Sequence, residues 1–318
     1  MVKTAASPQG FIRDYRLRLF FALSRTPHGA VDMTTPCFAA GLWLGGLPPF
    51  PVLLLGLITV FAGYTAVYAL NDVVDYRVDR ERLQQENFDA RSGAQDLDAA
   101  LMRHPMAQGL LQFREGLTWA AAWGAVALVG AYILNPVCAW IFIAGCLLEA
   151  VYCLLLKVSP LRALINGIVK TLGSIAAVFA VDPNPSPVFL ATLFFTLFFW
   201  ELGGQNIPND SSDLDEDLRL GAKTIPVRLG LDLSAFAVQA TLWAAAGLTL
   251  VLFSLSPIDF GILAYLAVFA LGAGLLLIPA RDFQRNPESA QAMRLFNRAS
   301  WYPAGLFSIV GATLLISA

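Results

Sequence analysis

Residues 50–79 read FPVLLLGLITVFAGYTAVYALNDVVDYRVD, and this stretch decides the fold. From Phe50 to Asn71 it contains no Asp, Glu, Lys or Arg. About 20 apolar residues of α-helix cross the hydrocarbon core of a bilayer, so this segment reads as one membrane span. Charge returns abruptly with Asp72, Asp75 and Asp79. An apolar helix therefore delivers a row of carboxylates to a membrane surface.

The rest of the chain has the same character. Of 318 residues, 57% are hydrophobic and 14% charged, against about 25% charged in a soluble globular protein. A mean hydropathy of +0.62 over this length does not fit one water-soluble core. The fold class is an all-α polytopic membrane protein, a bundle of about nine transmembrane helices around a central cavity that opens to the cytoplasmic side. Spans are expected at 30–47, 50–71, 116–134, 137–156, 162–181, 187–206, 234–255, 259–279 and 300–317. Pro and Gly punctuate the short links, as at Gly45-Gly46-Leu47-Pro48-Pro49, Asn135-Pro136 and Pro183-Asn184-Pro185. The long polar stretches are 72–115 and 207–232. Residues 1–318 read as one domain with two internal pseudo-repeats, roughly 20–156 and 157–318. The first 25 residues carry Lys3, Arg13, Arg16, Arg18 and Arg25 without a clean apolar core, so no cleavable signal peptide is expected. Cys37, Cys138, Cys146 and Cys153 sit in apolar runs without metal-ligand spacing and read as small buried hydrophobes. A net charge of −2 gives no reason to expect a nucleic-acid partner.

Charge placement tests the map. If the spans alternate, one side holds the N-terminus and the links 72–115, 157–161, 207–233 and 280–299. All 21 Lys and Arg lie on or at the edge of that side, apart from Lys170 inside the fifth span. Positive charge stays cytoplasmic. The expectation is a multi-pass protein of the cell (inner) membrane, with a cytoplasmic N-terminus and an external C-terminus.

The sixth span ends on that same side with Asn209-Asp210-Ser211-Ser212-Asp213-Leu214-Asp215-Glu216-Asp217. Like Asn71-Asp72-Val73-Val74-Asp75-Tyr76-Arg77-Val78-Asp79, it reads N-D-x-x-D-x-x-x-D. If both segments continue as helix, positions i, i+3 and i+7 share a face. Asp72, Asp75 and Asp79 then form one carboxylate stripe, and Asp210, Asp213 and Asp217 a second. Two facing stripes repel where water is scarce. Mg²⁺ removes the repulsion, because it binds carboxylate oxygens together with substrate phosphates. The pair of motifs thus implies a divalent cation, Mg²⁺ with Mn²⁺ able to substitute, and a diphosphate. A pair of solvated acidic helix ends is the bland alternative, and a cation-binding channel or transporter is the alternative of another class. The far side shows no matching polar pathway for transport.

With these residues in view, the chain resembles the UbiA-type superfamily of intramembrane prenyltransferases over essentially its whole length. That family carries N-D-x-x-D-x-x-x-D after its second helix and D-x-x-x-D after its sixth, followed by Gly, Lys-Thr and Pro. Here Asp213 and Asp217 are followed by Gly221-Ala222-Lys223-Thr224-Ile225-Pro226-Val227-Arg228. Ser24-Arg25-Thr26-Pro27 is similar to the family's entry into its first helix. One departure is Arg103-His104-Pro105-Met106-Ala107-Gln108-Gly109, where the family commonly has Arg-Pro-x-x-x-Gly. Histidine stands where Arg is usual, and Arg103 is the expected substitute. The stretch 80–102 is longer and more polar than the family's pattern and reads as a lid.

The resemblance implies transfer of a prenyl group from a polyprenyl diphosphate to a lipophilic or aromatic acceptor in the lipid bilayer. A quinone precursor is the first expectation. A sugar phosphate, a glycerol lipid or internal cyclisation are the alternatives. Expected metal ligands are Asn71, Asp72, Asp75, Asp79, Asp210, Asp213 and Asp217, with Asp72, Asp75, Asp79, Asp213 and Asp217 as the catalytic set. Substrate contacts are expected from Asn71, Asn209, Arg103, Lys157, Lys223 and Arg228. Tyr68, one helical turn before Asp72, is placed to face a cation, with Tyr64 above it. Lys170 is about 12 Å along its helix, where a charge facing lipid is costly. It is expected to point into the bundle and meet the diphosphate or an anionic acceptor. Glu201, Gln205, Asn206 and Asn209 make a polar end on helix six that suggests a cavity wall. His28 and His104 receive no role.

Overall fold

The computed structural model describes residues 8–85 and 102–317, and every regular element in them is helical. The helices are α1 (Pro8–Leu23), α2 (Thr26–Asp32), α3 (Thr34–Leu44), α4 (Phe50–Gln85), α5 (Phe113–Leu134), α6 (Pro136–Leu154), α7 (Arg162–Val181) and α8 (Pro187–Trp200). A π-helical turn, Glu201–Asn206, leads into α9 (Ile207–Ser212) and α10 (Leu214–Leu220). The chain continues through α11 (Ile225–Ser254) and α12 (Ile262–Gly272) to a second π-helical turn, Ala273–Leu277. It ends with α13 (Ile278–Arg285), α14 (Ser289–Ala299) and α15 (Tyr302–Ser317).

Among the described residues, eight helical stretches are long and apolar enough to cross a membrane. They correspond to eight of the spans expected from sequence. The ninth, expected at 30–47, is two short helices joined at Met33, with α3 ending at Gly45 in the left-handed region. The lid expected over 80–102 falls mostly outside the described residues. Its first residues, up to Gln85, extend α4.

The links follow from local chemistry. Asn135 caps α6 by accepting from the Val137 amide, and Ser186 caps α8 by accepting from Phe189. A proline stands in the first turn of both helices, where no partner for its missing N–H is needed. The outer surface is apolar: Trp140, Leu147 and Leu154 are about two-thirds exposed or more. Such a surface suits lipid and would be untenable in water. Inside, Phe38, Leu42, Phe189, Leu193, Leu242 and Phe253 pack in one core that joins α3, α8 and α11. Lipid removes most of the hydrophobic drive between helices, so close packing carries the association. Gly203 shows it, since an added Cβ would lie 2.2 Å from Thr241 Oγ1.

Two features position the acidic segments. The 36 residues of α4 span about 54 Å, and a bilayer core takes about 30 Å of that. The remainder projects as an unbroken helical arm bearing Asp72, Asp75 and Asp79. The second arm differs. Pro208 has no N–H for the Gly204 carbonyl, which accepts from Gln205 Nε2 at 3.1 Å instead. The helix widens into the π turn just before it. Ser211 and Ser212 then bond back to the carbonyls of Ile207 and Asn209, and Asp213 leaves helical geometry at φ −98°, ψ 15°. Asp210, Asp213 and Asp217 therefore do not form the single continuous stripe expected.

Candidate active site

On the first arm, Asp72 and Asp79 are buried at 4% exposure each, and Asp75 is half-buried. Arg25, which adopts a left-handed φ of 43° where the chain enters α2, comes to 3.5 Å from Asp72 Oδ1. The loop before α5 brings His104 against the same arm. Its Nδ1 lies 3.0 Å from Asp79 Oδ2 and 3.8 Å from Asp72 Oδ1. Asn71 turns the other way and donates to Glu149 Oε1 at 2.7 Å.

On the second arm, Asp210 is 3.6 Å from Arg162 Nη1, and the Arg162 guanidinium stacks 4.1 Å over the Tyr152 ring. Asp217 accepts from the Thr224 hydroxyl at 3.0 Å. Burial pushes the Asp217 carboxyl up to about 6. Burial also raises Asp213, and the positive charge of Arg103 opposes it. The Arg103 side chain thus acts on the second motif, while His104 sits in the first. One residue joins the arms. Arg82, one turn beyond Asp79, reaches Asp79 at 3.8 Å and Asp217 at 3.8 Å, and pairs with Glu216. Four of the seven expected ligand positions, Asp72, Asp79, Asp210 and Asp217, thus lie within 4 Å of Arg25, Arg82, Arg162 or His104, while Asp213 feels the charge of Arg103, Asp75 sits half-buried on the first arm and Asn71 stands at the border.

The donor set fits a hard divalent cation. Asp72 Oδ1 and Asp210 Oδ2 are buried acceptors without a hydrogen-bond partner. Leaving such atoms unsatisfied is costly, and a cation is the natural occupant of carboxylate-lined space. The nearest ligand atoms of Asp72, Asp79 and His104 all lie within 4.8 Å of one another.

A cavity of about 580 Å³ lies within the bundle, and of the six motif carboxylates only Asp210 lines it. Asn71, Asn206, Asn209 and Asp210 line its polar end, and Leu53, Val60, Ile141, Phe142 and Leu314 line the apolar depth. Tyr64 and Tyr68 form part of the wall, their rings stacked with centroids 6.3 Å apart. Glu201 and Gln205 also face it, and Glu201 accepts from Asn166 at 3.3 Å. Lys170 does turn into the bundle, but the negative charge it meets belongs to the protein. Its ammonium is 2.9 Å from Asp32 Oδ2 and 4.5 Å from the Tyr68 ring centroid, and it donates to the Tyr68 hydroxyl, which donates to Asp32.

Four expected substrate contacts, Arg103 and the three that follow, stand apart from the cavity lining. Lys157 pairs with Glu81 at 2.8 Å. Lys223 is held by its backbone amide, which donates to the Leu156 carbonyl at 2.7 Å. Arg228 is exposed on the first turns of α11. Sequence reasoning missed Asp32, Arg82 and His104 as members of the polar network. A charged residue two positions inside an expected span was the available signal for Asp32. The i, i+3 spacing from Asp79 was the signal for Arg82.

The chain is 27% identical over 271 residues to a digeranylgeranylglyceryl phosphate synthase of Pyrococcus abyssi, covering 84% of this chain and 87% of the relative. It is 26% identical over 220 residues to a 4-hydroxybenzoate octaprenyltransferase of Shewanella denitrificans, covering 68% of each. Among solved structures, a UbiA homologue from Aeropyrum pernix superposes with a TM-score of 0.66 at 20% identity, covering 91% of this chain and 98% of that one. A UbiA homologue from Archaeoglobus fulgidus bound to DMAPP and Mg²⁺ gives 0.61 at 19% identity, covering 92% and 99%. At these identities the structural likeness carries the fold. The model of the UbiA prenyltransferase family matches residues 33–301, and the chain belongs to that family.

Proposed function

We propose that this prenyltransferase uses its two acidic arms to hold Mg²⁺ and a polyprenyl diphosphate, and transfers the prenyl group to an acceptor in the same cavity. The observation that carries the reading is the convergence of both motifs on Arg82, together with the lining of a largely apolar chamber by Asn71, Asn209 and Asp210 of the same two motifs. Asp72, Asp75, Asp79, Asp210, Asp213 and Asp217 would hold the cation, which offsets diphosphate charge and so eases departure of the leaving group. Arg25 and Arg82 stand beside the same carboxylates and supply further positive charge. As the C1–O bond breaks, its electron pair stays on the diphosphate. Positive charge develops at C1, and the Tyr64 ring in the cavity wall offers it an attracting face, the Tyr68 ring already carrying the Lys170 ammonium. The apolar walls accommodate the tail and keep out water that would quench the charge. The acceptor closes the new bond to C1 and gives up a proton.

An aromatic quinone precursor is the acceptor we propose, in keeping with the tyrosine-lined wall and with relatives such as the Shewanella enzyme. A glycerol lipid is the second reading, prompted by the relatives named digeranylgeranylglyceryl phosphate synthases. We further propose that the acidic end faces the cytoplasm of a cell with an inner membrane, on the distribution of Lys and Arg. Accessibility labelling of cysteines placed at 184 and 215 tests it: they should react from opposite sides. Membranes given labelled geranylgeranyl diphosphate and a panel of aromatic and glycerol acceptors should release diphosphate and form one prenylated product, identified by mass spectrometry. Turnover in the absence of any divalent cation, or none with any acceptor, would contradict the proposal.

A further inference from the structure

We propose that His104 is itself a metal ligand, which makes the first-motif site a mixed nitrogen and oxygen site that prefers a first-row transition ion such as Mn²⁺ over Mg²⁺. The inference rests on the reading that the first motif holds a divalent ion, and is independent of the acceptor. Three observations carry it. First, the Nδ1 of His104 and Oδ2 of Asp79 are 3.0 Å apart, and Nδ1 and Asp72 Oδ1 are 3.8 Å apart. Two donors at about 2.1 Å from one ion and at right angles to each other are about 3.0 Å apart, so this edge already has the dimension of a coordination sphere. Second, the atoms are buried and face one another. Asp72 is 4% exposed and the His104 side chain 10%; Asp72 Oδ1 has no partner closer than Arg25 at 3.5 Å, and His104 Nδ1 is turned toward the carboxylates of Asp79 and Asp72. Third, the loop is shaped to present this side chain. His104 adopts φ 49°, a left-handed conformation in which histidine is several-fold enriched among non-glycine residues but still uncommon. The turn is held by bonds around it: Gln108 N donates to the His104 carbonyl at 3.1 Å, and Gln108 Nε2 to the Arg103 carbonyl at 2.6 Å.

The chemical consequence follows from donor softness. Carboxylate and water suit both Mg²⁺ and Mn²⁺, whereas imidazole is a better ligand for first-row transition ions than for Mg²⁺, so a mixed donor set tips the balance toward Mn²⁺. An arginine at this position would repel a cation and could only serve the diphosphate. A histidine at the same place reaches both acidic residues and adds a neutral donor. The expected occupant is therefore an ion that takes both carboxylate and imidazole.

The protein contains only two histidines, His28 and His104, which makes the test clean. Purified full-length protein in detergent is titrated with Mn²⁺, with and without inorganic diphosphate, and pulsed EPR is recorded on protein carrying ¹⁵N-labelled histidine. The proposal expects a ¹⁵N coupling to Mn²⁺ that survives in His28→Asn and vanishes in His104→Gly, a substitution the left-handed backbone tolerates. His104→Gly should also lower the Mn²⁺-to-Mg²⁺ affinity ratio by about tenfold or more, the loss that even an outer-sphere partner of a metal site costs. Bound Mn²⁺ without histidine coupling in the wild-type protein overturns the proposal and leaves the general metal reading intact. Absence of any Mn²⁺ or Mg²⁺ binding sinks both. Because the coupling is read on the wild-type protein, a variant that fails to fold does not spare the idea.

Discussion

The two acidic arms share the pattern N-D-x-x-D-x-x-x-D and are built differently. The first rides an uninterrupted helix whose base is locked from both sides. Tyr68 ties it to α2 and α7 through Asp32 and Lys170, and Asn71 ties it to α6 through Glu149. The second passes through a π turn, a proline and a break at Asp213 before Asp217 is reached. One arm is thus a rigid post and the other a jointed strap, bridged by Arg82. Interrupted helices of this kind are frequent at functional sites, because a widened turn re-aims side chains without unfolding the helix. The comparison teaches that one sequence pattern can be carried by two backbones: a straight helix presents the first motif, and a widened and broken one presents the second.

The strongest way to break this comparison is to remove one carboxylate from each arm. Asp79→Asn and Asp213→Asn should each lower turnover by about 10²–10³-fold, the scale of losing a principal electrostatic contact to the transition state. If only one arm proved sensitive, the other would be a solvated acidic end. The lock beneath the first arm is tested by Lys170→Met, which leaves Asp32 buried without its cation. Such a break costs about 3 kcal/mol, visible as a fall in Tm in detergent. Asp32→Asn combined with Lys170→Met should recover much of it. A neutral single variant would mean that the Asp32–Lys170 pair does not stiffen the arm. Arg82→Met removes the bridge and should raise the KM for the prenyl diphosphate on the order of tenfold, in line with one charge-assisted contact. An unchanged KM would mean the arms act without it. The smallest effect is expected for Pro208→Ala. It restores an N–H opposite the Gly204 carbonyl, worth about 1 kcal/mol, and straightens the strap. Tm should rise slightly while turnover falls severalfold, so a rise in both would remove any role for the joint.

Much of this was legible in the sequence, for reasons that differ by feature. Membrane spans follow from uninterrupted apolar length, and Phe50–Asn71 announces itself by the absence of charge. The acidic motifs were visible because their spacing is local. The first span was read as one helix where α2 and α3 meet at Met33, which itself keeps φ −57° and ψ −22°; Pro36, with no N–H for the Asp32 carbonyl, was the overlooked mark of the interruption. The second motif was read as a stripe because the spacing alone favours one; Pro208 at its start carried the contrary information. The partners of Lys170, Asp79 and Arg82 were out of reach. Asp32, His104 and Glu216 lie far along the chain from them, and only the folded bundle sets such pairs.

The central claim is that both arms hold one cation-bound diphosphate. It is tested most directly by calorimetric titration of the purified protein with a non-hydrolysable polyprenyl thiodiphosphate, with and without divalent cation, beside Asp79→Asn and Asp213→Asn. The account predicts binding that requires the cation and is weakened at least about tenfold by either substitution. Equal binding without the cation, or unchanged binding in both variants, would contradict it.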